Sequence, residues 1–377
     1  MDELELIATT SFGLEAVVAR EIKALGYTDQ RVEDGRVIFR GNELAICRAN
    51  LWLRSAERLL IKVGEFDARD FGELFDRTRE LPWATWIDAN AAFPVRGKSV
   101  KSGLHSIPDC QRIVKKAVVE SLKATYHRDW FVETGATSAI EVSILKDRVT
   151  LTIDTSGAGL HKRGYRTLSG PAPLKETLAA ALIQLSYWNP QRPLVDPLCG
   201  TGTIPIEAAM IGRNIHPGLN RKFAAEEWNR VPQKLWAEAR AEAGDLATAK
   251  LDLPIIATDI DEEVLSLARY HARQTGVEAD IHFQQKPLAD FSSRKQFGCI
   301  ICNPPYGERS GTREQAETLY SEMSRLFADL DTWSVYVLTA HSQFERLFGR
   351  RPDRRRKLYN GRIECTYYQY YGPRPPR

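Results

Sequence analysis

Residues 298–306 read Gly-Cys-Ile-Ile-Cys-Asn-Pro-Pro-Tyr, and this stretch constrains the chain more than any other. The apolar run has the pattern of a strand buried in a parallel sheet. Neither Pro304 nor Pro305 has an N–H to give to a ladder, so the chain must leave the sheet at Asn303. In open α/β sheets, ligands bind just outside the carboxyl ends of the strands. Asn303, Pro304, Pro305 and Tyr306 therefore fall where chemistry is expected. They offer an amide oxygen, a carbonyl that the Pro-Pro bond leaves free, and an aromatic face. Those groups suit a planar ring that carries an exocyclic amine.

The second half of the chain supplies a sheet for this strand. Pro193–Val195, residues 254–258, Ile281–Gln284 and Ser334–Thr339 read as strands. Leu174–Trp188, Ile204–Ile211, Glu262–Thr275, Gln315–Leu330 and Gln343–Phe348 read as helices between them. Arg355–Tyr359 and Ile363–Tyr371 flank Asn360-Gly361, a strong hairpin signal. The expected fold class is thus α/β, a Rossmann-like sheet closed by a C-terminal antiparallel hairpin. The first half lacks βαβ alternation, which argues for small α+β units. Its strands are expected at 4–9, Arg36–Arg40, Ser55–Phe66, Phe93–Arg96, Ile140–Leu145 and Val149–Ile153. Its helices are expected at Phe12–Leu25, Asn42–Asn50, Asp70–Arg79 and Pro108–Tyr126. A glycine-punctuated connector, Ser156–Pro173, separates the halves.

Two further motifs lie at strand ends. Asp196-Pro197-Leu198-Cys199-Gly200-Thr201-Gly202-Thr203 runs from a strand into a helix. Gly200 and Gly202 let backbone approach a ligand, and the helix start offers free N–H groups to a carboxylate or phosphate. No Gly-Lys-Ser/Thr follows, and Pro205 stands where a dinucleotide fingerprint has its third glycine. The leading acid disfavours a pyrophosphate and suits an α-amino group. In Thr258-Asp259-Ile260-Asp261, Asp259 is placed to take a ribose's hydroxyls, and Asp261 before Glu262-Glu263 fits a helix N-cap.

At 377 residues the chain is too long for one typical domain. Its net charge of +3 does not by itself argue for nucleic acid. The basic residues are clustered, however: Lys98, Lys101, Lys115 and Lys116; His161-Lys162-Arg163 with Arg166; and Arg350, Arg351, Arg354, Arg355, Arg356 and Lys357. Each cluster reads either as a solvated face or as a contact for a polyanion. No apolar run approaches the roughly 20 residues of a membrane span. The opening MDELELIATTSFGLE lacks the basic flank of a secretory signal, so the cytoplasm is expected. Cys299 and Cys302 have C-x-x-C spacing, but within a strand they point to opposite faces. They read as buried small hydrophobes, and no metal is expected.

Asp196, the glycine loop, Asp259 and Asn303–Tyr306 together resemble a class I S-adenosylmethionine-dependent methyltransferase with the amino-methylating tetrapeptide. Similar tetrapeptides serve N6-adenine, N2-guanine and glutamine-amide methylases. The chain also carries Leu160-His161-Lys162-Arg163-Gly164-Tyr165-Arg166, Ala172–Ala180, Pro205–Ala209 and Asn303–Arg309. In these it is similar to the THUMP-containing RNA N2-guanine methyltransferases, above all to the bacterial 23S rRNA group often labelled N6-adenine-specific DNA methylases. The resemblance implies a ferredoxin-like segment at 1–57, a THUMP RNA-binding domain at 58–155, a connector at 156–173 and a methyltransferase domain at 174–377. It implies S-adenosylmethionine as cofactor, bordered by Leu160, His161, Lys162 and Thr177, by Asp196, Cys199, Gly200, Thr201 and Gly202, and by Asp259, Ile260 and Asp290. The tetrapeptide would be catalytic, and Glu226 or Glu227 would close over the pocket. In one place the chain departs from the pattern: Pro287 or Leu288 stands where an acid usually accepts from the adenine amine. Asp290 or a backbone carbonyl is then the substitute. The expected activity is methylation of a guanine N2 in RNA, 23S rRNA first. The alternatives are a tRNA guanine-N2 methyltransferase, an N6-adenine methylase, and a non-catalytic RNA-binding or ribosome assembly factor. RNA is the expected partner, with no membrane and no obligate protein partner.

Overall fold

A computed structural model describes residues 3–166, 174–306 and 312–376. Residues 167–173 of the connector lie outside the described residues, as do Gly307, Glu308 and Arg309 of the tetrapeptide's extension. The chain forms two compact units that do not follow chain order. One comprises residues 1–10, 19–160 and 222–242; the other comprises 11–18, 161–221 and 243–377.

The strands of the first unit are β1 (Leu4–Thr9), β2 (Gln30–Glu33), β3 (Arg36–Gly41), β4 (Arg58–Asp67), β5 (Val95–Val100), β6 (Ile140–Leu145) and β7 (Arg148–Asp154). They form one sheet in the order β2-β3-β1-β4-β7-β6-β5. Sequence reasoning expects two small units in this region; β4 pairs with β1 on one side and β7 on the other, so one continuous sheet runs through it. Helices α1 (Glu15–Ala24), α2 (Glu43–Trp52), α3 (Phe71–Arg79) and α4 (Ile107–Tyr126) are the expected ones with shifted ends. Asn42 and Asp70 accept from the amides of Ala45 and Glu73, so each is an N-cap rather than a first helical residue.

In the second unit the strands are β8 (Leu194–Asp196), β9 (Ile255–Asp259), β10 (Ile281–Gln285), β11 (Cys299–Cys302), β12 (Ser334–Thr339), β13 (Arg354–Asn360) and β14 (Ile363–Tyr370). Their order is β10-β9-β8-β11-β12-β14-β13, with β14 antiparallel to both neighbours. The helices are α5 (Glu176–Gln184), α6 (Thr203–Gly212), α8 (Glu262–Gln274), α9 (Arg313–Phe327) and α10 (Phe344–Phe348), while α7 (Gln233–Asp245) belongs through residue 242 to the first unit. Alternate residues of the central strands face two separate cores. Cys299, Ile301, Tyr336 and Leu338 join the residues of α5, α6 and α8. Ile300, Cys302, Val335 and Val337 join those of α9 and α10. Both faces of β11 are therefore buried, which is why it reads as an unbroken apolar run.

The closing hairpin is present, but its turn differs from the expectation. Asn360 pairs with Ile363, so the two loop residues are Gly361 and Arg362. Gly361 takes the positive φ of 66° that the first position of such a loop needs. All six cysteines are free and buried, and burial pushes the Cys299 thiol up to about 12. No helix among the described residues is long and apolar enough to cross a membrane.

Candidate active site

The sheet reverses its strand order between β8 and β11, which are hydrogen-bonded neighbours. That reversal opens a crevice at the carboxyl ends of the strands. Asp196 ends β8, Asp259 ends β9, and Asn303 follows β11.

The glycine loop is strapped to the end of β9. Cys199 donates its amide to the Thr258 carbonyl at 3.0 Å, and the Thr258 hydroxyl donates to the Pro197 carbonyl at 3.3 Å. Gly200 donates its amide to Asp259 Oδ2 at 2.9 Å, while Asp259 Oδ1 accepts from the Asp261 amide at 3.2 Å. Asp261 itself caps α8, accepting from the amides of Glu263 and Val264. The two acids thus have separate roles, with Asp261 spent on the helix and Asp259 turned to the loop.

Asp196 is almost completely buried, and its Oδ1 accepts from the Leu198 amide at 3.2 Å. Burial pushes its carboxyl well above the usual range, one hydrogen bond opposes that, and the nearby Asp259 charge adds to it. A cationic ligand group here would relieve the penalty. Burial also pushes the Cys199 thiol up, so it is no thiolate nucleophile.

The two loop glycines differ. Both have positive φ, 53° at Gly200 and 79° at Gly202. A Cβ on Gly202 would meet Ala268 Cβ at 3.0 Å and the Phe283 ring at 3.3 Å, so this glycine serves packing. Among the described residues, a Cβ on Gly200 would meet nothing within 4 Å and would fill open space above the loop. Beside that loop Ile260 is 70% exposed, an apolar surface next to an acid. An open backbone cradle, two carboxylates and an exposed aliphatic side chain fit a ligand with an amine, a ribose and an apolar ring.

The tetrapeptide is clamped from two sides. The Tyr320 hydroxyl, on α9, donates to the Pro305 carbonyl at 2.8 Å and shares a hydrogen bond with Thr339 Oγ1 at 3.0 Å. Tyr306 turns its ring against the core beneath α5 and α6, and its hydroxyl donates to Asn303 Oδ1. Sequence reasoning gives Tyr306 an open aromatic face; in the structure much of that face is packed, and the hydroxyl orients Asn303. Sequence reasoning misses Tyr320 altogether. Helical spacing marks it as a core residue of α9, and nothing local in the sequence shows that its hydroxyl reaches a proline carbonyl.

The remaining candidates are more dispersed. Leu160 is buried in the first unit, its amide donating to the Glu57 carbonyl at 2.8 Å. His161 is half-buried and Lys162 exposed. The connector reaches the glycine loop through Arg166, which donates to Thr203 Oγ1 at the start of α6 and pairs with Glu176 at 3.4 Å. Thr177 is buried on α5, the Thr201 carbonyl lies 3.3 Å from His271 Nδ1, and Asp290 is exposed in a short turn. Glu226, expected as a closing acid, has local partners. It accepts from the Phe223 amide and pairs with Arg240 at 2.8 Å inside the first unit. No group of three or more potential metal ligands occurs among the described residues.

This strand order, glycine loop and acid pair define the class I fold of S-adenosylmethionine-dependent methyltransferases. A family model described as "RMKL-like, methyltransferase domain" matches residues 163–369, a model of the RlmL ferredoxin-like domain matches 5–60, and a THUMP model matches 68–154. The chain belongs to this RMKL-like methyltransferase family. It is 51% identical over 380 residues to YpsC of Bacillus subtilis, named as a candidate RNA methyltransferase, covering 100% of this chain and 98% of that one. It is 34% identical over 374 residues to the ribosomal RNA large subunit methyltransferase K/L of Vibrio cholerae, covering 97% of this chain and 53% of that protein, so it spans about half of it. A Listeria monocytogenes structure, named an N6-adenine-specific DNA methylase on prediction, superposes with a TM-score of 0.94 at 51% identity, covering 99% and 97% of the two chains. SMU.472, a candidate methyltransferase complexed with SAH, superposes with a TM-score of 0.93 at 47% identity, covering 100% of each.

The contrast between the two glycines is testable by urea denaturation. Gly200→Ala should cost only the left-handed backbone penalty, about 1–2 kcal/mol. Gly202→Ala should add an overpacking cost of about 1–3 kcal/mol. Equal losses would contradict the assignment of Gly202 to packing and Gly200 to an open cradle. Tyr320→Phe should lose about 1 kcal/mol of stability for its hydrogen bonds, and methyl transfer should fall by far more than that small change in folding explains.

Proposed function

We propose that the chain methylates the exocyclic N2 amine of a guanine in RNA, with 23S rRNA the first candidate and S-adenosylmethionine the donor. One observation carries the reading: Asn303 leaves β11 directly beside β8, whose end holds the buried Asp196 and the open glycine loop. A site for an aminated ring and a site for a donor thus share one crevice. The THUMP match, the YpsC name and the K/L name favour RNA over DNA as the source of the ring. The DNA-methylase name of the Listeria protein supports N6-adenine as the second reading, since the tetrapeptide holds either amine.

When bound, S-adenosylmethionine supplies a methyl group already activated on a sulfonium. The chain's own work is then mainly to bind and orient. Asp196 would hold the amino end, the open Gly200 cradle would admit the methionine portion, Asp259 would hold the ribose and Ile260 would offer the adenine an apolar surface. Across the crevice, Asn303 Oδ1 and the Pro304 carbonyl accept the two N–H bonds of the target amine. That grip holds the nitrogen and favours a pyramidal geometry with its lone pair toward the donor. The Tyr306 hydroxyl fixes the Asn303 amide oxygen, and what remains open of its ring borders the extruded base. The base must first leave its stack, at a cost of a few kcal/mol. The tetrapeptide's one titratable group is Tyr306, and burial pushes its phenol up, so it is a hydrogen-bond donor and not a base. The amine proton is lost to water after transfer.

Asn303→Ala should leave S-adenosylhomocysteine binding within about twofold by calorimetry and lower methyl transfer at least 100-fold, on the order of 3 kcal/mol. An active variant would overturn the mechanism. Tyr306→Phe, which keeps the ring, should lose less than Tyr306→Ala, and a reversed order would contradict the assignment of the ring to the base.

Asp196 predicts a pH dependence. Below its raised pKa the ligand-free carboxyl holds a proton, and an ammonium ligand favours the carboxylate. Binding must then release protons, and affinity must rise with pH through the raised pKa and level off above it. Calorimetry in two buffers of different ionisation heat should show that release, and Asp196→Asn should abolish it.

A further inference from the structure

From Arg346 through Lys357 the chain carries seven basic residues and one acid, Asp353, although the whole chain has a net charge of only +3. In the fold, part of this stretch lines a concavity of about 570 Å³ between α10 and the edge strand β13. Its lining includes Arg346, Arg350, Arg351 and Arg355, and one carboxylate, Glu345. Glu345 is already paired with Arg355 at 2.7 Å. The other three guanidinium groups form no ion pair among the described residues, and all three are exposed. Charge on an edge strand protects the sheet from pairing with another chain. That accounts for Arg354–Lys357 but not for Arg346, Arg350 and Arg351, which lie off the strand.

The loop bearing Arg350 and Arg351 is fixed. Gly349 ends α10 with a φ of 67°, and the Ser324 hydroxyl donates to the Phe348 carbonyl at 2.6 Å. Arg350 lies 5.5 Å from the Tyr370 ring centroid, and the Tyr370 hydroxyl donates to the Arg350 carbonyl at 3.4 Å. Pro352 is buried, and Asp353 donates its amide to the Gln369 carbonyl at 2.9 Å. Three like charges lining one concavity, one from α10 and two from the tethered loop after it, repel one another, and an anion shared among them relieves that cost. Guanidinium groups suit phosphate oxygens because they bond them two at a time.

We propose that this concavity is a phosphate-binding groove for the RNA backbone. The inference rests on the reading of the chain as an RNA methyltransferase and adds a second contact for that substrate. Sheet order places β13 three strand spacings from β11, about 14 Å. The groove therefore grips phosphates away from the target base, giving affinity and register without reading sequence.

The test uses the full chain with Arg346, Arg350 and Arg351 all changed to Ala, and an rRNA transcript titrated over a range of KCl. Affinity at low salt should fall at least tenfold. The slope of log K against log salt should drop by about 2, or about 0.7 for each single-strand phosphate no longer neutralised. In methyl-transfer assays KM for RNA should rise while kcat at saturating RNA changes less than twofold. Changing all three to Lys should restore most of the affinity. Unchanged affinity and slope in the Ala variant would overturn the groove. So would binding of the wild type to anionic phospholipid vesicles that the Ala variant loses while its RNA affinity stays intact. If the wild type methylates no RNA, the functional reading fails, and the binding titration still decides the groove by itself.

Discussion

The second unit depends on a place where hydrogen bonding has to stop. Pro304 and Pro305 have no N–H, so β11 ends at Cys302 and the chain departs into the crevice. The Tyr320 hydroxyl takes the Pro305 carbonyl, and Tyr306 takes Asn303 Oδ1. The tetrapeptide is thereby oriented by groups that are themselves packed, with Tyr320 between His341 and Phe344 on the far face of the sheet. Precise placement of a reacting group depends on such support.

A second constraint is electrostatic. Asp196 is buried at the end of β8 with one amide hydrogen bond and a second acid nearby. A fold has little reason to hold a carboxyl there unless something else completes it. Gly200 points the same way, since a Cβ there would meet none of the described residues within 4 Å. The donor side and the acceptor side of the proposed reaction are thus each built around an interaction left for a ligand.

Much of this is legible in the residues. Proline pairs, loop glycines and a buried apolar run are local signals, and β11, the glycine loop and the Asp261 cap follow from them. What escapes depends on burial or on distant contacts. Strand β2 is polar and on a sheet edge, so no apolar alternation marks it. Helix α7 buries Trp236, Ala239 and Ala243, a helical spacing, in a stretch rich in charge and in further alanines. Residues 222–242 belong to the compact unit formed by the chain's first half, through contacts such as the Trp228 indole with the Thr137 carbonyl at 3.0 Å. Glu226, a plausible closing acid by position, is spent on a local cap and on Arg240. Tyr306 shows the limit most clearly: its presence is readable, but the direction of its ring is set by packing.

Whether this crevice brings an RNA guanine amine to an activated methyl group can be asked in one assay. The protein is incubated with methyl-labelled S-adenosylmethionine and, in turn, 23S rRNA, tRNA and DNA, and each nucleic acid is then digested to nucleosides. Label in N2-methylguanosine from rRNA is the expected result. Label in N6-methyladenine from DNA would contradict it.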